Sequence, residues 1–147
     1  MKAVLVLGVL AIGTSAMASG RVPDSELAIG AIRLGQDEKS VIRTLGLPKS
    51  RSYTEHNFLP HELNYPGVTV GLDDNGVGGM VATSSKFCTP SGACPGMSFS
   101  KIRKLYGAPV IAKRESGTFM EYYGDGCWLQ FAVRRSVVKS LGIACQP

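Results

Sequence analysis

The sequence lacks the short motifs that commonly identify an enzyme. It contains no G-x-S-x-G, no H-E-x-x-H, no phosphate-binding loop and no dinucleotide-binding glycine pattern. Its only histidines are His56 and His61, and a loop that contains Pro60 holds metal ligands poorly. We therefore predict no catalytic residues, no metal and no cofactor. A hydrolase that depends on one of these histidines is the weakest alternative.

No apolar run is long enough to cross a membrane, which takes about 20 residues. The longest run, residues 3–12, follows Lys2 and precedes the small residues Ala16-Met17-Ala18. A positive start, an apolar stretch and an A-x-A site in this order are typical of a secretory signal peptide. We therefore predict that residues 1–18 are removed by cleavage after Ala18 and that the mature protein is exported to the periplasm, without a membrane span.

No C-x-x-C pair occurs, which disfavours a zinc site. The four cysteines all follow residue 18, and an even number in an exported chain indicates two disulfides, with three possible connectivities. If Cys127 lies opposite Cys145 in a hairpin, the alternating apolar residues of both strands fall on the same face as the cysteines. That register favours Cys127–Cys145, and proximity in sequence favours Cys88–Cys94.

The chain resembles itself when it is shifted by 61 residues. The shift aligns Gly35 with Gly96, Gly46 with Gly107 and Pro48 with Pro109. In each copy a capping residue, Asp37 or Ser98, precedes about two turns of predicted helix, and the G-x-P segment ends that helix. We therefore predict two tandem repeats over residues 19–86 and 87–147.

In each predicted repeat, the helices come before the strands. The first repeat contains an additional apolar helix at about residues 24–34, and the helix after Gly35 follows it. Four strands are expected after the last helix of each repeat, at about residues 50–55, 62–65, 68–72, 77–84, 110–115, 118–123, 127–133 and 138–145. Turn residues such as Asn75 and Gly76 separate these segments, because they tolerate the positive φ that hairpins need.

Two such units, each with a disulfide in or beside it, resemble the beta-lactamase inhibitory protein fold. Each half is also similar to the outer-membrane assembly lipoprotein module of the SmpA/OmlA group. The residues that match the recurring pattern of that module are Gly35, Asp37, Val41, Gly46, Pro48, Gly96, Ser98, Ile102, Gly107 and Pro109. The resemblance implies an α+β fold in which two tandem helix–strand repeats form one curved antiparallel sheet with helices on one face.

The expected activity is the binding of a protein. Strand alternation points Trp128 and Gln130 away from the buried Leu129 set, and aromatic residues commonly anchor interfaces. The candidate partner-binding residues are Trp128, Tyr122, Tyr123, Gln130, Phe58 and Leu59. The resemblance implies an inhibitor or immunity protein that neutralises an envelope-acting enzyme or toxin. The alternative is a structural envelope-assembly protein of the SmpA/OmlA type.

Charge is distributed unevenly between the two predicted repeats. Residues 19–86 contain 7 Lys and Arg against 8 Asp and Glu, whereas residues 87–147 contain 8 against 3. A basic half can be a solvated surface, a docking surface for an acidic protein, or a contact with the anionic envelope. Nucleic acid is not an expected partner, because the chain is exported and has no aromatic and basic recognition motif.

Overall fold

The computed structural model describes residues 19–147. The expected signal peptide, residues 1–18, lies outside the described residues, and so does its cleavage. Within the described part of the chain, no helix is long and apolar enough to cross a membrane.

Two α-helices of eight residues each form where the capping residues predict them. They are Glu38–Leu45 (α1) and Phe99–Tyr106 (α2). The side chain of Asp37 accepts a hydrogen bond from the Ser40 amide at the start of α1, and Ser98 accepts one from the Lys101 amide at the start of α2. Each helix ends at a glycine with positive φ, 84° at Gly46 and 79° at Gly107. Both predicted helices are confirmed.

The additional helix expected over residues 24–34 is wrong. A single 3-10 turn, Asp24–Glu26, is followed by a small hairpin of two strands, Ala28–Ile29 (β1) and Ile32–Arg33 (β2). Gly30 adopts φ 57° in the turn between these strands, a conformation that a helix interior does not contain. Four apolar residues of this segment, Leu27, Ala28, Ile29 and Ile32, are nevertheless buried.

Eight further strands form one antiparallel sheet. Their bounds are Ser50–Tyr53 (β3), His61–Tyr65 (β4), Val68–Asp73 (β5), Gly76–Ala82 (β6), Val110–Arg114 (β7), Gly117–Tyr123 (β8), Cys127–Arg134 (β9) and Val137–Cys145 (β10). Their order across the sheet is β3-β4-β5-β6-β10-β9-β8-β7, with β6 and β10 at the centre. Every strand expected after the two helices is present, within two residues at each end.

The register of the last hairpin agrees with the one that the cysteines predict. Cys127 pairs with Cys145, Leu129 with Ile143 and Phe131 with Leu141. A register shift between Val138 and Ser140 changes the pairing near the turn.

The expected fold class, α+β with tandem repeats and helices on one face, is wrong. Strands make up 44% of the described residues and helices 15%. Eight strands spaced at about 4.8 Å span roughly 34 Å, whereas each eight-residue helix is about 12 Å long. Two such helices cannot cover the sheet, and the core is completed by residues before α1 and between β6 and α2, among them Val22, Leu27, Ile29, Ile32 and Ala93. The division of the chain after residue 86 stays a prediction.

Both disulfides have the expected pairing. Cys88 is bonded to Cys94 and Cys127 to Cys145, and no described cysteine is free. Such bonds persist in oxidising compartments, so the pairing indicates an exported protein.

A buried polar network ties the segment before β1 to the first disulfide loop. The carboxylate of Glu26 accepts hydrogen bonds from the amide of Ser91 at 3.1 Å, its hydroxyl at 2.8 Å and the Tyr106 hydroxyl at 2.7 Å. Burial, together with the Glu26 carboxylate, raises the pKa of Tyr106. The network fixes the start of the described chain against the end of α2.

Candidate functional site

The eight-stranded sheet has one buried face and one face that the rest of the described chain leaves largely uncovered. Leu129, Phe131 and Leu141 belong to the buried face and have no solvent exposure. We name the opposite side the open face. One row of paired residues crosses it from strand to strand: Asn64, Thr69, Val81, Gly142, Gln130, Glu121 and Val110.

Val81 shows most directly that this face is open. It lies in β6, which is hydrogen-bonded to β5 on one side and to β10 on the other. An antiparallel sheet that leaves one face to solvent usually carries polar residues there, yet the apolar Val81 on this face is 46% exposed. Its neighbour Gly142 in β10 has no side chain, so β10 does not shield it at this position. The centre of the open face therefore presents an apolar side chain to solvent.

Glu121 is a buried carboxylate on the same face. Its side chain forms an ion pair with Arg114 and accepts a hydrogen bond from the Tyr123 hydroxyl. That hydrogen bond, more than burial, raises the pKa of Tyr123. Arg114 also lies over the ring of Phe119, with the guanidinium carbon 5.0 Å from the ring centre. A single carboxylate thus fixes the positions of an arginine and a tyrosine at the surface.

Trp128 lies beside this cluster. The register pairs it with Ala144 on β10 and with Tyr123 on β8, so it faces away from Leu129 as the alternation predicts. The rings of Tyr123 and Trp128 are 6.4 Å apart, centre to centre. Trp128 is partly buried and Tyr123 is 36% exposed. Gln130 shares their face, so three of the expected binding residues are brought together.

Tyr122 lies on the other face. It pairs with Leu129, is fully buried, and its hydroxyl donates a hydrogen bond to the carbonyl of Gly107 at 2.9 Å. Burial raises its pKa to about 12, against a smaller lowering by Arg103. The structure therefore places Tyr122 in the core, where it cannot contact a partner. Strand alternation distinguishes Tyr122 from Tyr123 and could have done so from the sequence.

Phe58 and Leu59 reach the open face from the loop between β3 and β4. Leu59 packs against three glycines of β5 and β6: an added Cβ would lie 2.9, 2.4 and 2.9 Å from its side chain at Gly71, Gly78 and Gly79, respectively. Phe58 stays 48% exposed. These two residues border a groove of about 280 Å³ that extends to Val81 and Ala144. The loop thus forms one wall of the uncovered region.

The two histidines lie in different surroundings and do not form one cluster. His61 lies in β4 with its ring 5.1 Å from that of Tyr53, centre to centre, whereas His56 is an exposed loop residue with φ 63°. Across residues 19–147, no three His, Cys, Asp or Glu side chains come together in an arrangement that could hold a metal ion.

Comparisons with known proteins show the fold alone. No family model and no curated protein matches the chain. Among solved structures, it is similar to an extracellular protein containing a SCP domain from Bacillus anthracis, with a TM-score of 0.60 and 9% identity over 94% of this chain and 50% of that one. It is similar to a cysteine-rich secretory protein from Staphylococcus aureus, with a TM-score of 0.55 and 11% identity over 86% and 50%.

A third similar structure is a DUF4309 family protein from Bacillus subtilis. Its TM-score is 0.51 and its identity 11%, over 86% of this chain and 88% of that one. The chain therefore spans about half the length of the first two structures that it resembles. The resemblance to beta-lactamase inhibitory proteins and to the SmpA/OmlA module is wrong, because the structural neighbours are of these other kinds. The shared signal was the capped helix followed by G-x-P, a local feature that unrelated folds can contain.

Proposed function

We propose that this protein is an exported binding module, not an enzyme, and that it holds a protein partner on the open face of its sheet. The observation that carries the proposal is the 46% exposure of Val81 at the centre of an eight-stranded sheet. An uncovered apolar centre with polar surroundings is typical of an interaction surface. The first two structural neighbours are named as extracellular or secretory proteins, which supports the exported location.

The residues around Val81 support the same proposal. Trp128 and Tyr123 lie on one side of it, and Phe58 lies on the other. Tyrosine, tryptophan and arginine are the residue types that most often dominate binding energy, and Glu121 holds Arg114 and Tyr123 in fixed positions. A preorganised surface loses less side-chain entropy on binding, which favours affinity.

The narrower expectations stay proposals. They are a periplasmic location after cleavage behind Ala18, and an inhibitor or immunity role against an envelope-acting enzyme or toxin. A structural role in envelope assembly is the second candidate. The neighbouring genes distinguish them, because an immunity protein is commonly encoded beside its toxin.

Val81→Arg tests the proposal. The partner is captured by cross-linking to the wild-type protein in envelope extracts, identified, purified and titrated against each variant. We expect Val81→Arg to weaken binding at least tenfold, because a charged side chain would be buried in the interface centre. The change should leave the melting temperature nearly unchanged, since Val81 is already half exposed.

Leu47→Arg is the matched control. Leu47 follows α1, is 81% exposed and lies outside the open face, so the same kind of substitution there should change affinity less than about twofold. Normal binding by Val81→Arg would contradict the proposal. Equal losses in both variants would show that added charge, not position, weakens binding.

A further inference from the structure

Two hairpin turns of the second half lie side by side at one end of the sheet. They connect β7 to β8 and β9 to β10, and between them lies a cleft of about 600 Å³. Its lining includes Ala132 and Val133 of β9 and three exposed cations. These cations are Arg134, Arg135 and Lys139. One carboxylate, Glu115, also lines the cleft, which leaves it with a net positive charge.

None of the three cations is neutralised within the described chain. Over residues 19–147, ion pairs form only between Arg51 and Glu38 and between Arg114 and Glu121. The neighbouring Arg114, in contrast to these three cations, already forms an ion pair with the buried carboxylate of Glu121. An anionic group that entered the cleft would therefore meet cations that have no competing partner.

The turn that presents Arg135 is built from unfavourable residues. Arg135 and Ser136 have φ of 52° and 61°, and only one other described non-glycine residue, His56, has a positive φ. Two-residue hairpin turns with both φ positive strongly prefer Asn-Gly. The β-branched Val137 lies outside these two turn positions and begins β10. Non-glycine residues held in left-handed backbone conformations are uncommon, and they cluster at functional sites.

We propose that this cleft binds an acidic segment of a protein partner through Arg134, Arg135 and Lys139. The inference rests on the proposed protein-binding function and specifies the chemistry of the partner. Aspartate and glutamate carboxylates match the forked guanidinium groups of arginine, and Ser116 and Thr118 supply hydroxyl groups in the same cleft. The excess positive charge of residues 87–147 would accelerate the approach of such a segment.

The test uses a fluorescein-labelled octaglutamate peptide, titrated by fluorescence anisotropy at about 20 mM and about 150 mM salt. We expect Arg134→Gln with Lys139→Gln to raise the dissociation constant at least fivefold. Lys86→Gln with Lys104→Gln removes the same charge from exposed positions outside the cleft and should raise it less than twofold. Arg135→Asn with Ser136→Gly should raise the dissociation constant at least threefold, and should raise the melting temperature by about 4 °C because the turn is relieved.

Three results of the peptide titrations would overturn the inference: no binding of the peptide to the wild-type protein, an unchanged affinity in the cleft variant, or equal losses in the cleft variant and its control. A parallel titration with phosphatidylglycerol vesicles separates a membrane surface from an acidic protein. A cleft variant that loses binding to the vesicles but keeps its affinity for the peptide would also overturn the inference. Val81→Arg should bind the peptide normally, so failure of the cleft and failure of the open face remain distinguishable.

Discussion

Glu121 is a carboxylate removed from water on a sheet face that otherwise lies open. It is 1% exposed, while its partner Arg114 has a side chain that is 46% exposed. Burying a charge costs several kcal/mol, and a paired charge often does no better than an apolar residue of the same size. A gain in stability therefore does not explain why a buried carboxylate occupies position 121. Its contacts with Arg114 and Tyr123, which orient both side chains at the surface, explain it better.

Trp128→Ala tests the aromatic part of the open face. We expect the variant to bind the partner at least tenfold more weakly, since truncating an interface anchor of this type typically costs about 2–4 kcal/mol. The melting temperature should change little, because Trp128 lies opposite the Leu129 core and is only partly buried. Titration calorimetry and a thermal melt measure both quantities. A variant that unfolds would show that Trp128 supports the fold instead.

Tyr122→Phe tests the assignment of its neighbour to the core. The change removes the hydrogen bond to the Gly107 carbonyl and should lower the free energy of unfolding by about 1–2 kcal/mol at neutral pH. The folded-state pKa of about 12 lies above the unfolded value of about 10. The stability that comes from the protonated hydroxyl is therefore complete below pH 10 and is lost as pH rises toward 12.

Urea denaturation from pH 8 to 12 measures this effect. The alkaline loss of stability should be shallower in Tyr122→Phe than in the wild-type protein, because the variant has no hydroxyl to ionise at this position. Tyr53→Phe removes a hydroxyl from a side chain that is 62% exposed and serves as the control. Identical alkaline profiles for wild-type and Tyr122→Phe would contradict the buried placement.

The loop between β3 and β4 is attached to the sheet through one side chain. Leu59 occupies a space that Gly71, Gly78 and Gly79 leave open, because a Cβ at any of them would collide with it. Glycine in a strand interior normally weakens the strand. At these positions it gives room for the leucine, and the loop in turn forms one wall of the groove beside Val81.

Gly71→Ala tests this packing by a double-mutant cycle with Leu59→Ala. In the wild-type background the new Cβ would lie 2.9 Å from Leu59 Cδ1, so the change should destabilise the protein by about 1 kcal/mol. In Leu59→Ala only the Cβ of residue 59 remains, 3.3 Å from the new Cβ, so the same change should be clearly less destabilising there. Denaturant titration gives the coupling energy. Equal effects of Gly71→Ala in both backgrounds would show that Leu59 does not fill this space.

The elements that the sequence predicted well are those with chemical signals at both ends. The helices had a capping side chain and a terminal glycine, and the last hairpin had two cysteines whose pairing agreed with its alternation. The segment over residues 24–34 had apolar spacing and a capping candidate in Asp24, but it contains Gly30 and forms a hairpin that turns at this glycine. The predicted fold class was wrong for a related reason. Helix signals revealed where helices begin and end, but not how little of a wide sheet they could cover.

Only one aspect of the candidate site could be predicted from the sequence, namely which strand residues point to the open face. Alternation assigns Trp128 and Gln130 to the open face, and the same argument applied to Met80 and Ala82 would have found Val81. Burial of Glu121 beneath Arg114 depends on the exact register of β7 against β8, whereas the turn residues 115–118 indicated only that these two strands form a hairpin. The cleft likewise depends on two turns that are distant in sequence and adjacent in the sheet.

Over the whole molecule, the open face joins the two halves of the chain. Val81, Phe58 and Leu59 come from residues 19–86, whereas Trp128 and Tyr123 come from residues 87–147. The pairing of Val81 with Gly142 makes them one continuous surface across the centre of the sheet. A partner that covers Val81 must therefore approach residues of both halves, and the charge of the second half would orient it.

Hydroxyl-radical footprinting of the complex with the purified partner tests this central claim most directly. Mass spectrometry would follow oxidation of Phe58, Tyr123 and Trp128, with Leu47 as an exposed reference outside the open face. Our account predicts that the three aromatic residues become protected together when the partner binds, while Leu47 stays as reactive as in the free protein. Protection of Leu47 without protection of Phe58 and Trp128 would contradict it, because the partner would then occupy another surface.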